Sequence, residues 1–144
     1  MIDRKTGEIV IEDSPMRPGP QLTRSEFQSS LPANAYRVLI ENEPFCSFSL
    51  GDHEIYGLLF TVSLWFYGEK LESIDLAHST DELGWYEKDD LKRKRVHDKW
   101  LKSMLGSAPY VYGWGSISSD HDIRSGGSSI VIRYSWQGKP WPLR

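Results

Sequence analysis

Between Pro109 and Trp136 bulky apolar residues alternate with small or polar ones, and this alternation constrains the fold more than any other feature of the chain. Ile130, Ile132, Tyr134 and Trp136 alternate with Ser129, Val131, Arg133 and Ser135. A period of two is the mark of a strand with one buried face. Upstream, Tyr110, Tyr112 and Trp114 alternate with Val111, Gly113 and Gly115. Glycines in such a run mean either that something approaches the backbone closely or that the strand bends. The pattern predicts two strands, Tyr110–Ile117 and Ser129–Trp136, joined by a polar loop from Ser118 to Gly127. It also places the aromatic face in the core, with Trp114 largely inaccessible.

The rest of the chain supplies further elements. Glu8–Glu12 reads as a short strand. Three prolines between Ser14 and Pro20 exclude helix and inner strand there, because proline fixes φ and removes a donor. Thr23 and Glu26 form a capping box flanked by Leu22 and Phe27, so a short N-terminal helix starts at this point and ends before Pro32. Tyr36–Glu41 and Phe45–Leu50 form a hairpin in which Val38 faces Phe48 and Ile40 faces Cys46, putting the apolar residues on one face. Leu58–Phe66 pairs with Leu71–Ala77. A two-residue turn is the commonest hairpin loop. The burial pattern nevertheless asks for Ile74 opposite Leu64 and Leu76 opposite Val62, and so for a three-residue loop, Gly68 to Lys70. Tyr86–Leu105 is the main helix. Its acidic residues precede its basic ones, its apolar stripe is Val96, Trp100, Leu101, Met104 and Leu105, and Gly106 stands at its C-terminal cap. The whole is an α+β chain, a single domain over 1–144 with an antiparallel sheet of about six strands, one long helix on a face, and an extended tail over about 137–144.

Composition enters where function is sought. A net charge of -3 disfavours a general nucleic-acid binder, which needs a basic face. Cys46 is the only cysteine, so neither an intrachain disulfide nor a multi-thiolate zinc motif is available. As a nucleophile it competes with a plainer role, a small core residue in a hairpin. No secretory signal core precedes the first strand, and the apolar run Leu58–Tyr67 is too short to span a bilayer, so a cytoplasmic protein is expected. His53, His78, His97 and His121 are scattered without ligand spacing, which favours solvated or edge histidines over a metal site, and no cofactor is expected. Lys92 to Arg95 spreads around a helix among carboxylates and reads as a solvated face. What remains is surface. Six Trp and seven Tyr are many for 144 residues, and such residues serve both cores and interface anchors. Asp120, His121, Asp122 and Arg124 form a mixed-charge tip beside Trp136 and Trp141, where a rigid scaffold presents binding groups.

Certain stretches also carry a resemblance. They are His97-Asp-Lys-Trp-Leu101, Leu105-Gly106, Tyr112-x-Trp-Gly-x-Ile-x-Ser119 and Arg124-Ser-Gly-Gly-Ser-Ser-Ile-Val-Ile-Arg-Tyr134. Over this last third the chain resembles small bacterial immunity proteins of interbacterial toxin systems. The resemblance implies a cytosolic protein that binds and occludes a toxin domain and is not an enzyme; the charge and the short apolar run speak against a nucleic-acid or membrane partner. Homo-oligomerisation is compatible with it. The competing expectation is a small-ligand binder or enzyme with a cleft between the sheet and the long helix. A closed pocket containing His97 or His121 would favour that alternative, and an open aromatic and acidic face would favour a protein partner.

Overall fold

The alternating segments assemble into one antiparallel sheet of seven strands, one more than expected. The computed structural model describes residues 1–81, 87–122 and 127–135, with the backbone alone at 87, 88 and 122. In chain order the elements are α1 (Arg24–Ser30), β1 (Arg37–Asn42), β2 (Phe45–Ile55), β3 (Leu58–Tyr67), β4 (Lys70–His78), α2 (Glu87–Leu105), β5 (Tyr110–Tyr112), β6 (Gly115–Asp122) and β7 (Gly127–Tyr134). The strand order is β1-β2-β3-β4-β7-β6-β5. The fold is therefore α+β. Both helices pack on the same face. Phe27 of α1 meets Phe48 and Phe66, while α2 lies over β4, β6 and β7. Between them Phe60, Val62, Leu64, Ile74, Leu76, Ile130 and Ile132 are almost wholly removed from water. The opposite face carries Thr61, Ser63, Trp65 and Asp75, which are only half-buried.

Local signals account for the start of α1 and the end of α2. Thr23 Oγ1 accepts from Glu26 N at 3.1 Å and Glu26 Oε1 accepts from Thr23 N at 3.2 Å, so two otherwise orphaned donors are satisfied. Past Leu105, Gly106 takes a left-handed conformation at φ 84° and donates to Lys102 O at 3.0 Å.

The β3–β4 hairpin meets both sequence demands at once. Leu64 faces Ile74 and Val62 faces Leu76, as the burial pattern required, yet the turn holds only Gly68 and Glu69. Glu72 is the extra residue of a β-bulge, opposite neither Trp65 nor Phe66. The bulge absorbs the offset, so the three-residue loop is not needed.

Four expectations are corrected. Residues 8–12 form no strand; an isolated bridge, Ile2 to Ile9, ties this segment to the N-terminus. Val38 does face Phe48, but Ile40 pairs with Ser47 and Glu41 with Cys46, because Leu39 bulges out. As a result β1 is exposed along its length, with Val38 47% accessible. The predicted strand Tyr110–Ile117 folds back on itself at Gly113-Trp114 to make β5 and β6. Of the two readings of its glycines, bending is the dominant one. Close approach also operates at Gly115, where a Cβ would stand 1.9 Å from Arg133 O. Finally, the loop expected from Ser118 to Gly127 is mostly strand, since β6 pairs with β7 from Gly115–Tyr134 through Asp122–Gly127. Trp114, at the new turn, is only partly buried. It stacks on Tyr112 with centroids 5.1 Å apart and donates to Arg4 O at 2.8 Å.

Candidate functional site

Two features sit where α2 meets β6 and β7: a buried polar cluster and an open groove. The cluster arises from helical spacing. Residues 90, 93, 97, 100 and 104 advance by alternating steps of three and four, the period that keeps side chains on one helix face. That face is buried whether its residues are apolar or not. Asp90 is 3%, Arg93 1% and His97 0% exposed. Arg93 is thus not part of the solvated face expected for Lys92–Arg95, and His97 is not a surface histidine.

Burial obliges these groups to find partners. Asp90 accepts from Ser128 N at 2.7 Å, and Ser128 Oγ lies 2.8 Å from its carboxylate and 2.9 Å from its main-chain oxygen. His121 Nδ1 hydrogen-bonds the same carboxylate. Burial alone would raise the Asp90 carboxyl, but the bonds from Ser128 and His121 outweigh it and hold the group below the usual carboxylate range. Arg93 Nε donates to His78 O at 3.1 Å. His97 Nε2 accepts from His78 N at 2.9 Å, which leaves the proton on Nδ1. Burial, with help from His78 and Arg93, lowers the His97 pKa to about 4, so the ring is neutral at pH 7.

An aspartate holding a histidine by Nδ1 is half of a nucleophile-activating device. Among the described residues the other half is not found. His121 Nε2 is buried without a hydrogen-bond partner, and Ser128 bonds the aspartate rather than that nitrogen. The geometry clamps the start of α2 to the ends of β6 and β7. Cys46 is likewise unactivated. Burial pushes its thiol up despite Arg24 Nη1 at 2.9 Å. Among the described residues no group of three or more His, Cys, Asp or Glu side chains is arranged to hold a metal, and no helix is long and apolar enough to cross a membrane.

The groove runs between α2 and the β5–β6 side of the sheet and encloses about 640 Å³. Leu101, Tyr110 and Ile117 form its floor; Lys94, Asp98 and Lys102 form the α2 rim; Pro109, Val111 and Ser116 to Ser119 complete the walls. Lys94 and Asp98 are paired at 2.9 Å. Neither His97 nor His121 lines the groove.

The predicted binding tip is only partly in view. Asp120 is exposed and accepts from Ser118 Oγ at 2.9 Å, one residue beyond the groove wall. His121 turns instead toward Asp90. Arg124, Trp136 and Trp141 lie outside the described residues, as do Tyr86, the tail over 137–144 and the Asp122 side chain. Sequence reasoning missed the Asp90–His121–Ser128 cluster. The heptad-like spacing of residues 90, 93 and 97 with Trp100 was the signal that would have found it. No protein-family model, curated protein or solved structure matches this chain.

Proposed function

We propose that this chain is a non-catalytic protein-binding module of the immunity type, whose partner is a toxin domain and whose binding surface centres on the groove and the neighbouring Asp120. The observation that carries this reading is the groove itself. It has an apolar floor and a charged rim, the layout of a protein interface, and it holds none of the histidines. The polar groups best suited to chemistry are spent on one another inside the helix–sheet contact. The tip formed by Asp120, Asp122 and Arg124 with Trp136 and Trp141 is the proposed partner-facing set, and His121, turned inward to Asp90, serves it by holding β6 in place.

The test is a titration of the adjacent gene's purified product against this protein. Tight binding by wild type, weakened by about 2–5 kcal/mol in Asp120→Ala/Asp122→Ala, is the expected result. No binding by wild type removes the immunity reading. A second reading, a small-ligand binder, draws on one observation, since about 640 Å³ falls in the range of ligand sites. Saturable binding of a small molecule in the groove, with no protein bound, would favour it.

A further inference from the structure

Strand β6 outruns its neighbour. Its pairing with β7 continues from Gly115 to Asp122, whereas β5 covers it only from Gly115 to Ile117. Pro109, immediately before β5, has no N–H and cannot extend that ladder. From Ser118 to Asp122 the strand therefore presents an uncovered edge among the described residues, at the sheet border overlooked by α2. The groove lies along this stretch, walled by Ser118 and Ser119 on one side and by Lys94, Asp98 and Lys102 on the other. A helix standing above an open strand edge is the arrangement in which proteins accept an added peptide strand.

We propose that this edge takes up an extended peptide of the partner as an eighth strand, hydrogen-bonded to β6 between Ser118 and Asp122. This rests on the protein-binding reading and gives it a mode. Ile117 and His121 point toward α2, which places Ser119 on the same face and Asp120 on the other. A strand added here turns alternate side chains under α2, toward Leu101 and the aliphatic stems of Lys94 and Lys102. Its other side chains share the outer face with Asp120, which is exposed and carries no ion pair among the described residues. The fitting peptide is thus apolar at every second position, with an arginine or lysine opposite Asp120. The second open border of the sheet, β1, is a weaker acceptor, because the bulge at Leu39 breaks its edge.

Two capped pentapeptides test this by amide-resolved NMR: threonine-valine-arginine-valine-threonine, and its counterpart with glutamate at the centre. The arginine peptide is expected to shift the amides from Ser118 to His121, to protect those of Ser119 and His121 that face the open edge, and to bind about 3–10-fold more tightly than the glutamate peptide. Asp120→Lys, at an exposed site that leaves the fold intact, should invert that order. Shifts confined to β1, no shifts at all, or an order indifferent to Asp120→Lys would each overturn the proposal. Toxin binding in the titration above could still succeed through another surface, so the two failures are separable.

Discussion

The two borders of the sheet solve the same problem in opposite ways. β1 ends the sheet with six residues, and Val38, Leu39 and Ile40 stay 41–47% exposed. A bulge at Leu39 interrupts that edge. At the other border the outermost strand is only the three residues of β5; beyond them the hydrogen-bonding edge of β6 is open, while its inner face packs under α2, held there by Asp90 and His121. A sheet edge can be made unattractive by irregularity or by brevity, and the face behind it can be bare or packed. Packing under a helix ties the β6 border to the core, so disturbance there propagates; the exposed β1 border is energetically separate. Substitutions near β6 should therefore cost far more than those on β1.

The sharpest break of that asymmetry is Asp90→Ala. It strands Ser128 N and takes the carboxylate from His121 Nδ1 in a buried site, while Ser128 Oγ keeps the main-chain oxygen of residue 90, and a loss of about 3–4 kcal/mol is expected in urea unfolding. A loss below about 1 kcal/mol would mean that the clamp contributes little.

Next comes pH. His97 under α2 is depressed to about 4 from 6.5, so the unfolded chain takes up that proton first, and the stability it contributes is lost as pH falls from 6.5 toward 4. Asp75, on the open face and paired across from Val131, behaves oppositely. Burial raises it to about 6 from 3.8, with Arg133 offsetting part of the effect. Its contribution is complete below 3.8 and lost as pH rises through about 6. The two cancel in large part in the wild type. Asp75→Asn should then gain about 1–3 kcal/mol at pH 7 and lose that advantage progressively by pH 4, unmasking the decline due to His97. Denaturation curves for the two proteins that stay parallel from pH 7 to pH 4 would contradict this.

At the small end stands Val38→Thr on β1. Its side chain is half in water, and a change within about 0.5 kcal/mol is expected by thermal unfolding. A cost near that of Asp90→Ala would erase the contrast between the borders.

How much of this was legible depends on what each residue had to satisfy. The pairing of Leu64 with Ile74 could be read because both are apolar and only one register buries them together. The bulge at Glu72 could not, because nothing in a glutamate announces that it will stand outside the ladder. The capping box at Thr23 was readable from local chemistry alone. The Gly113-Trp114 turn was half readable: the glycines announced a bend or a close contact, and the strand length hid which. On α2 Trp100, Leu101, Met104 and Leu105 marked the buried stripe while Val96 falls outside the core cluster, and Asp90, Arg93 and His97 continue the stripe with polar side chains whose partners, Ser128, His121 and His78, are distant in sequence. Of the proposed binding tip, composition located Asp120 on exposed surface but could not foresee that its neighbour His121 would turn inward.

One long-range contact has a consequence for how the chain comes into being. Tyr134 Oη donates to Gly7 O at 2.6 Å, and a Cβ on Gly7 would meet the Trp114 ring at 2.6 Å. The central pairing of β4 with β7 also joins Ser73 to Arg133. During synthesis at about 5–20 residues per second, the segment around Gly7 has no native seat until β7 emerges, a wait on the order of ten seconds. Through that interval β3 and β4 carry their apolar face without the strand that completes the sheet. The nascent chain is thus exposed to competing contacts at the ribosome, and emergence of β7, more than any local hairpin, is the event that commits it to its fold.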